Sequence, residues 1–319
     1  MTTVSEWWMW LAFLVFIALM LAIDLFLLGG RKAHRVSTKE ALSWTLVWFL
    51  LTLLFNLLFW WYLLHASGLQ IANEKALEFF TGYLIEKSLS IDNIFVFLMI
   101  FSYFSIPAEY QHRVLIYGVL GAIVMRLIII LMGIWIVNQF HWVLYLFGVF
   151  MLITGFKMLI FAEKEQNLAK NPVLHWMRKH LRISDTLHEE RFFIFHKQLL
   201  YATPLLLVLI LVEVSDLIFA VDSIPAIFAV TNDPFIIFTS NIFAILGLRA
   251  LYFLFVNMHN RFHLLKYGLG LILIFVGIKM LIAPWFKIPI FIALGVVVLA
   301  LIICIGLSIY KTSSLVKKK

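Results

Sequence analysis

Nine stretches of this chain are each long and apolar enough to cross a bilayer, and no other feature restricts its possible folds as much. A hydrocarbon core of about 30 Å takes about 20 apolar residues in a helix. The windows run approximately 7–28, 41–64, 77–104, 114–137, 142–162, 200–230, 235–257, 263–282 and 289–310. The expected fold is therefore all-α, a polytopic transmembrane helical bundle of about nine spans. Composition agrees: 64% of the 319 residues are hydrophobic, 13% are charged and the mean hydropathy is +1.02, which excludes an ordinary soluble domain. The first window lacks a basic leader and a small-residue cleavage site, so it reads as a retained helix. The one cysteine, Cys304, falls inside the last window, which rules out an intramolecular disulfide and a thiolate metal cluster.

The net charge of +8 finds its explanation in where the basic residues sit. With the N-terminus outside, 18 of the 25 Lys and Arg residues fall in inner segments, at 29–40, 105–113, 163–199, 258–266 and the tail. Only Lys75 and Lys287 fall outside. The expected orientation is N-terminus outside and C-terminus cytoplasmic, and the positive-inside rule accounts for the basic balance without a nucleic-acid partner.

Internal self-similarity follows. Gly155-Phe156-Lys157-Met158-Leu159-Ile160 recurs as Gly277-Ile278-Lys279-Met280-Leu281-Ile282, and Arg126 has a counterpart in Arg249. Glu86-x5-Asp92-Asn93-Ile94 recurs as Asp216-x5-Asp222-Ser223-Ile224. Each unit holds three spans, and an odd number of crossings inverts the second copy. The chain then divides into two N-terminal helices (1–76), a first three-span repeat (77–162), a basic cytoplasmic loop (163–199), a second three-span repeat (200–283) and a C-terminal helix with a basic tail (284–319). In the loop, Pro172 to Ser184 spaces Val173, Leu174, Met177 and Leu181 helically among Arg178, Lys179 and Arg182, as suits an interfacial helix on anionic membrane lipids. His175, His180, His188 and His196 match no metal-ligand spacing.

Charge inside the spans is the feature that points to function. Glu86, Asp92, Glu213, Asp216 and Asp222 lie in two apolar windows, with Lys87, Arg126 and Arg249 in the same layer. A carboxylate at mid-membrane costs about 2.5 kcal/mol or more, so each calls for a partner or a purpose. Five acids against three bases leave a deficit that one divalent cation would balance, while Ser88, Ser90, Asn93, Ser215 and Ser223 supply further oxygens, the ligands a hard cation prefers. The candidate metal ligands are Glu86, Asp92, Asn93, Glu213, Asp216, Asp222 and Ser223. Pairing that merely registers helices, or a proton relay without metal, are the competing readings. Glu86 and Asp92 stand about 120° apart on an ideal helix and do not share a face. Either the helix unwinds between them or each faces a different neighbour; Pro225 favours a break beside Asp222. Asp24 reads as an interfacial carboxylate, and Met99, seven residues after Asp92, as a packing residue on the same helical face.

At these residues the chain resembles the TerC family of bacterial integral membrane proteins, with a closer likeness to its Alx branch. The paired signature Glu86-Lys-Ser-Leu-Ser-Ile-Asp92-Asn93-Ile94-Phe95-Val96 and Asp216-Leu-Ile-Phe-Ala-Val-Asp222-Ser223-Ile224 carries the likeness. Thr81-Gly82-Tyr83, Tyr117-Gly-Val-Leu-Gly-Ala122 and Thr239-Ser-Asn-Ile-Phe-Ala-Ile-Leu-Gly-Leu-Arg249 extend it. The resemblance implies a bacterial inner-membrane protein that exports Mn2+ from the cytoplasm; H+ is the expected coupling ion, because carboxylates that release a metal can take up protons, and no organic cofactor is expected. A metal sensor or accessory subunit is the alternative. An intramembrane enzyme is disfavoured, since neither His-Glu-x-x-His nor Gly-x-Ser-x-Gly occurs.

Overall fold

A computed structural model describes residues 3–23, 36–140, 142–160, 168, 171–184, 187, 190–196, 199–256, 265–286 and 288–316; the side chains of Asp92, Asp222 and His196 lie outside that description, as do Asp24, His188 and Lys287. Among the described residues, helices lie in the expected apolar windows. They are α1 (Trp7–Ile23), α2 (Thr38–Ala66), α3 (Leu69–Tyr103), α4 (Ala108–Gln139), α5 (Val143–Ile160), α7 (Pro204–Phe228), the pair α8 (Pro234–Leu246) and α9 (Leu248–Val256), α10 (Leu265–Ile282) and α11 (Ile290–Val316). Among the described residues, six helical segments are long and apolar enough to span a membrane by length and composition, and α1 and part of α10 are shorter apolar helices. The chain is a polytopic helical membrane protein.

Helix ends follow local chemistry. Ser37 accepts from Glu40 N at 3.2 Å to start α2, in the Ser-x-x-Glu order of a capping box. Asp233, ahead of Pro234, accepts from Phe235 N at 2.9 Å and Ile236 N at 3.5 Å to start α8. Asp233 also accepts from Thr3 Oγ1 at 3.0 Å and Val4 N at 2.8 Å, which ties the N-terminal segment to the same corner.

At the centre stands α8, buried along its whole length from Phe235 to Leu246. On one side α1 and α2 close over it through an aromatic cluster that includes Phe13, Phe55, Phe79, Phe235, Phe238 and Phe243. On the other it meets α3 and α4. One close approach is at Gly82 of α3, where a methyl group would stand 3.1 Å from Ser240 Oγ.

The last helices of the two expected repeats form the most extensive helix pair. Gly148 faces Gly277 and Gly155 faces Gly270; a methyl group at Gly155 would meet Gly270 O at 2.8 Å, and one at Gly277 would meet Gly148 O at 2.8 Å. The helices are therefore antiparallel. Exchanging them by the Gly155–Gly277 correspondence maps each glycine contact onto the other.

Two local expectations are corrected. Neither α3 nor α7 unwinds at its acidic residues, and Pro225 lies inside α7. It sits in the last turn, where its missing N–H removes one hydrogen bond from a helix that ends three residues later. The break falls instead at Gly247, between α8 and α9, where Lys87 Nζ donates to the carbonyl of Ala244 at 3.1 Å. The second correction concerns the loop 163–199. Its helix, α6 (Pro172–His180), forms as expected, but Leu174 and Met177 are buried in a cluster with Leu205 and Val208 of α7, so the apolar face meets protein rather than lipid. A hairpin of β1 (Phe193–His196) and β2 (Leu199–Ala202) follows, a small addition to the all-α bundle.

Candidate functional site

The site is assembled around a guanidinium group. Arg126, on α4, is 1% exposed and forms an ion pair with Glu86 of α3. The same side chain lies 3.5 Å from Asp216 Oδ1 of α7, donates to Ser223 Oγ at 3.3 Å, and donates to Asn241 Oδ1 of α8 at 2.8 Å. Asn93 Nδ2, from α3, donates to Asp216 Oδ1 at 3.3 Å. Four helices thus converge on one buried polar cluster, and α3 and α7 each contribute the carboxylate that opens the repeated acidic motif.

Glu213 enters from one turn before Asp216, as i, i+3 spacing on a helix requires. Its carboxylate lies directly against Gly121 of α4, in the space that a side chain at that position would fill. A cavity of about 10 Å3 borders Asp216, Gly118, Ala122 and Arg249, enough for about one water-sized occupant.

What remains unpartnered defines the chemistry. Among the described residues, Glu86 Oε2, Asp216 Oδ2, Asn93 Oδ1 and Glu213 Oε2 are buried oxygens without a hydrogen-bond partner, and Arg126 Nε is a buried donor without one. An unmet buried acceptor costs about 1–3 kcal/mol and a charged one more. All four oxygens are acceptors, three of them on carboxylates, so their natural complement is a cation or a donor. Among the described residues no three His, Cys, Asp or Glu side chains converge as a ready-made metal cluster.

Of the sequence candidates, Glu86, Asn93, Asp216 and Ser223 are brought together and Glu213 adjoins them. Asp92 and Asp222 lie on the same two helices, with side chains outside the description. Of the cations in the same layer, Lys87 donates to the Ala244 carbonyl, and Arg249 bonds His112 Nε2 at 3.1 Å while bordering the small cavity beside Asp216. Asn241 and Gly121 belong to the site and were not expected there. The loop residues His175 and His180 are exposed and take no part.

A profile described as "Integral membrane protein TerC family" matches residues 71–315, which include every residue of this cluster. The chain belongs to the TerC family. Among curated proteins it is 59% identical over 297 residues to "Putative membrane-bound redox modulator Alx" of Escherichia coli strain K12, covering 93% of this chain and 92% of the other. The same-named protein of Salmonella typhi is 58% identical over 93% and 92% of the two chains. A more distant relative, "Uncharacterized membrane protein STKORF319" of Myxococcus xanthus, is 47% identical over 91% and 88% of the two chains. No solved structure matches the chain.

Proposed function

We propose that this TerC protein is a divalent-cation carrier that exports Mn2+ from the cytoplasm, holding the ion at Glu86, Asp92, Asn93, Glu213, Asp216, Asp222 and Ser223. The observation that carries the reading is the set of four buried oxygens around Arg126 that have no partner among the described residues, three of them on carboxylates, in a layer where such groups are costly. An all-oxygen set suits a hard cation. The choice of Mn2+ and the outward direction rest on the family resemblance.

Arg126 neutralises part of the acid, so that the ion is held firmly enough to enter and loosely enough to leave. Protons serve as the coupling ion, since carboxylates that release a metal take up H+. Two inverted repeats rocking about the midplane give alternating access, a reading supported by the self-mapping glycine contacts of α5 and α10. A cavity of about 980 Å3 bordered by Glu74, Glu78, Thr231, Asp233 and Lys279 provides a release vestibule on the side expected to face outward. The protein acts as a carrier rather than an enzyme, in the inner membrane with its C-terminus in the cytoplasm. The redox-modulator name of its relatives fits an effect exerted through the metal pool, because one cysteine supplies no internal dithiol.

Flux into inside-out proteoliposomes, across a panel of divalent ions and with an imposed pH gradient, tests this. The proposal expects saturable Mn2+ uptake that responds to the gradient. Mn2+ binding without flux would instead make the protein a sensor or accessory subunit.

A further inference from the structure

We infer that the β1–β2 hairpin, together with Trp176 of α6, is a docking surface for the anionic cytoplasmic leaflet. The hairpin pairs Phe193 with Ala202 and Phe195 with Leu200 on one face, and Ile194 with Tyr201 on the other, so both faces are largely apolar. Phe195 is 81% exposed, Trp176 56%, and Phe193, Leu199 and Leu200 are exposed as well. Exposed apolar side chains gathered on one hairpin mark an interaction surface, and the segment that follows α6 is tied to it, with Ala202 N donating to Arg182 O at 2.8 Å and Ser184 N to Ala202 O at 2.9 Å.

Several features select lipid as the occupant. Strand β2 runs through Thr203 directly into Pro204 of α7, so the hairpin starts at the membrane boundary and its four-residue strands reach only about 13 Å from it. Its base is fixed rather than swinging. Thr203 N bonds Phe192 O at 3.0 Å, Glu190 pairs with Arg113 at 2.9 Å, and Phe192 packs on Tyr117 and beneath Arg113. Arg178, Lys179, Arg182 and Arg191 are exposed on the neighbouring segments, giving the positive fringe that anionic headgroups complement. Among the described residues no strand lies along the edge of β1 away from β2, and an open strand edge keeps the seat among the headgroups rather than in the hydrocarbon.

Lipid contact is thereby moved from the face of α6 that the sequence suggested to the hairpin and Trp176. The assignment to the cytoplasmic leaflet rests on the proposed orientation. Because the hairpin leads into the helix that carries Glu213 and Asp216 and is pinned to the one that carries Arg126, leaflet composition has a direct mechanical route to the site.

The test uses the full chain with Cys304→Ala and a reporter cysteine, Phe195→Cys or Trp176→Cys, carrying an environment-sensitive fluorophore in nanodiscs. The expected result is emission shifted to the blue, quenching by lipids spin-labelled near the headgroup, and protection from aqueous iodide. These should strengthen when phosphatidylglycerol is added to phosphatidylcholine, and the added effect should vanish in Arg178→Gln/Lys179→Gln/Arg182→Gln. Free quenching by iodide overturns the proposal, and so does protection from both quenchers, the signature of a second copy or another protein covering the hairpin. Indifference to phosphatidylglycerol overturns the anionic assignment. An impermeant thiol reagent applied to sided vesicles reads the orientation separately, so an error there is distinguishable from an error about lipid.

Discussion

Arg126 joins groups from three neighbouring helices, and its removal separates two roles of the carboxylates it touches. In Arg126→Met, Glu86 and Asp216 lose their cation, and breaking a buried pair on one side costs about 3–5 kcal/mol. The metal-free variant should melt at a markedly lower temperature in detergent, with part of the loss recovered by Mn2+ because the stranded carboxylates remain. Absence of recovery would count against their being metal ligands. Gly121→Ala probes Glu213: the new methyl group displaces only the far end of a flexible side chain, so stability should fall by about 1 kcal/mol, the low end of overpacking, while Mn2+ affinity drops more steeply. Equal affinity in that variant would remove Glu213 from the ligand set. The carboxylates were legible in the sequence because charge is conspicuous in an apolar span. Asn241 was not, since an amide in such a helix can bond its own backbone, and its Nδ2 does so with Ile237 O at 2.8 Å while Oδ1 faces Arg126. Pairing Arg126 with Arg249 by motif position also hid their different surroundings, because sequence symmetry does not say which neighbour each side chain meets.

At the scale of elements, the glycine contacts of α5 and α10 decide how closely the proposed repeats approach. Gly155→Ala places a methyl group against the backbone of the partner helix, which cannot rotate away, and should destabilise by about 1–3 kcal/mol. Gly306→Ala, on α11, meets nothing within 4 Å among the described residues and should be neutral to slightly stabilising in the same thermal assay. Equal melting temperatures for the two variants would mean that the seam is looser than described. Apolar windows located the helices well, because length and hydropathy dominate in lipid. They could not locate the break in span seven, where Gly247 interrupts the helix and a lysine from α3 meets the Ala244 carbonyl. The hairpin was equally hidden: Phe193 to Ala202 is a short, mostly apolar run, and periodicity alone does not distinguish strand from helix there.

For the whole molecule, charge segregation predicts the orientation and the acidic cluster predicts the cargo. A cysteine at position 70 should react with an impermeant reagent from outside and one at position 175 only from the cytoplasm; both reacting from one side would contradict the inverted arrangement. The direct test of the central claim is Mn2+ titration of purified protein beside the thermal stability of the metal-free form, for the native chain and for Glu86→Gln, Asp92→Asn, Asp216→Asn and Asp222→Asn. A carboxylate that holds the ion should lose affinity by tenfold or more, about 1.4 kcal/mol, when it becomes an amide, with the metal-free fold largely retained. Unchanged affinity together with collapsed stability would show that these groups only pair helices, and would contradict the account.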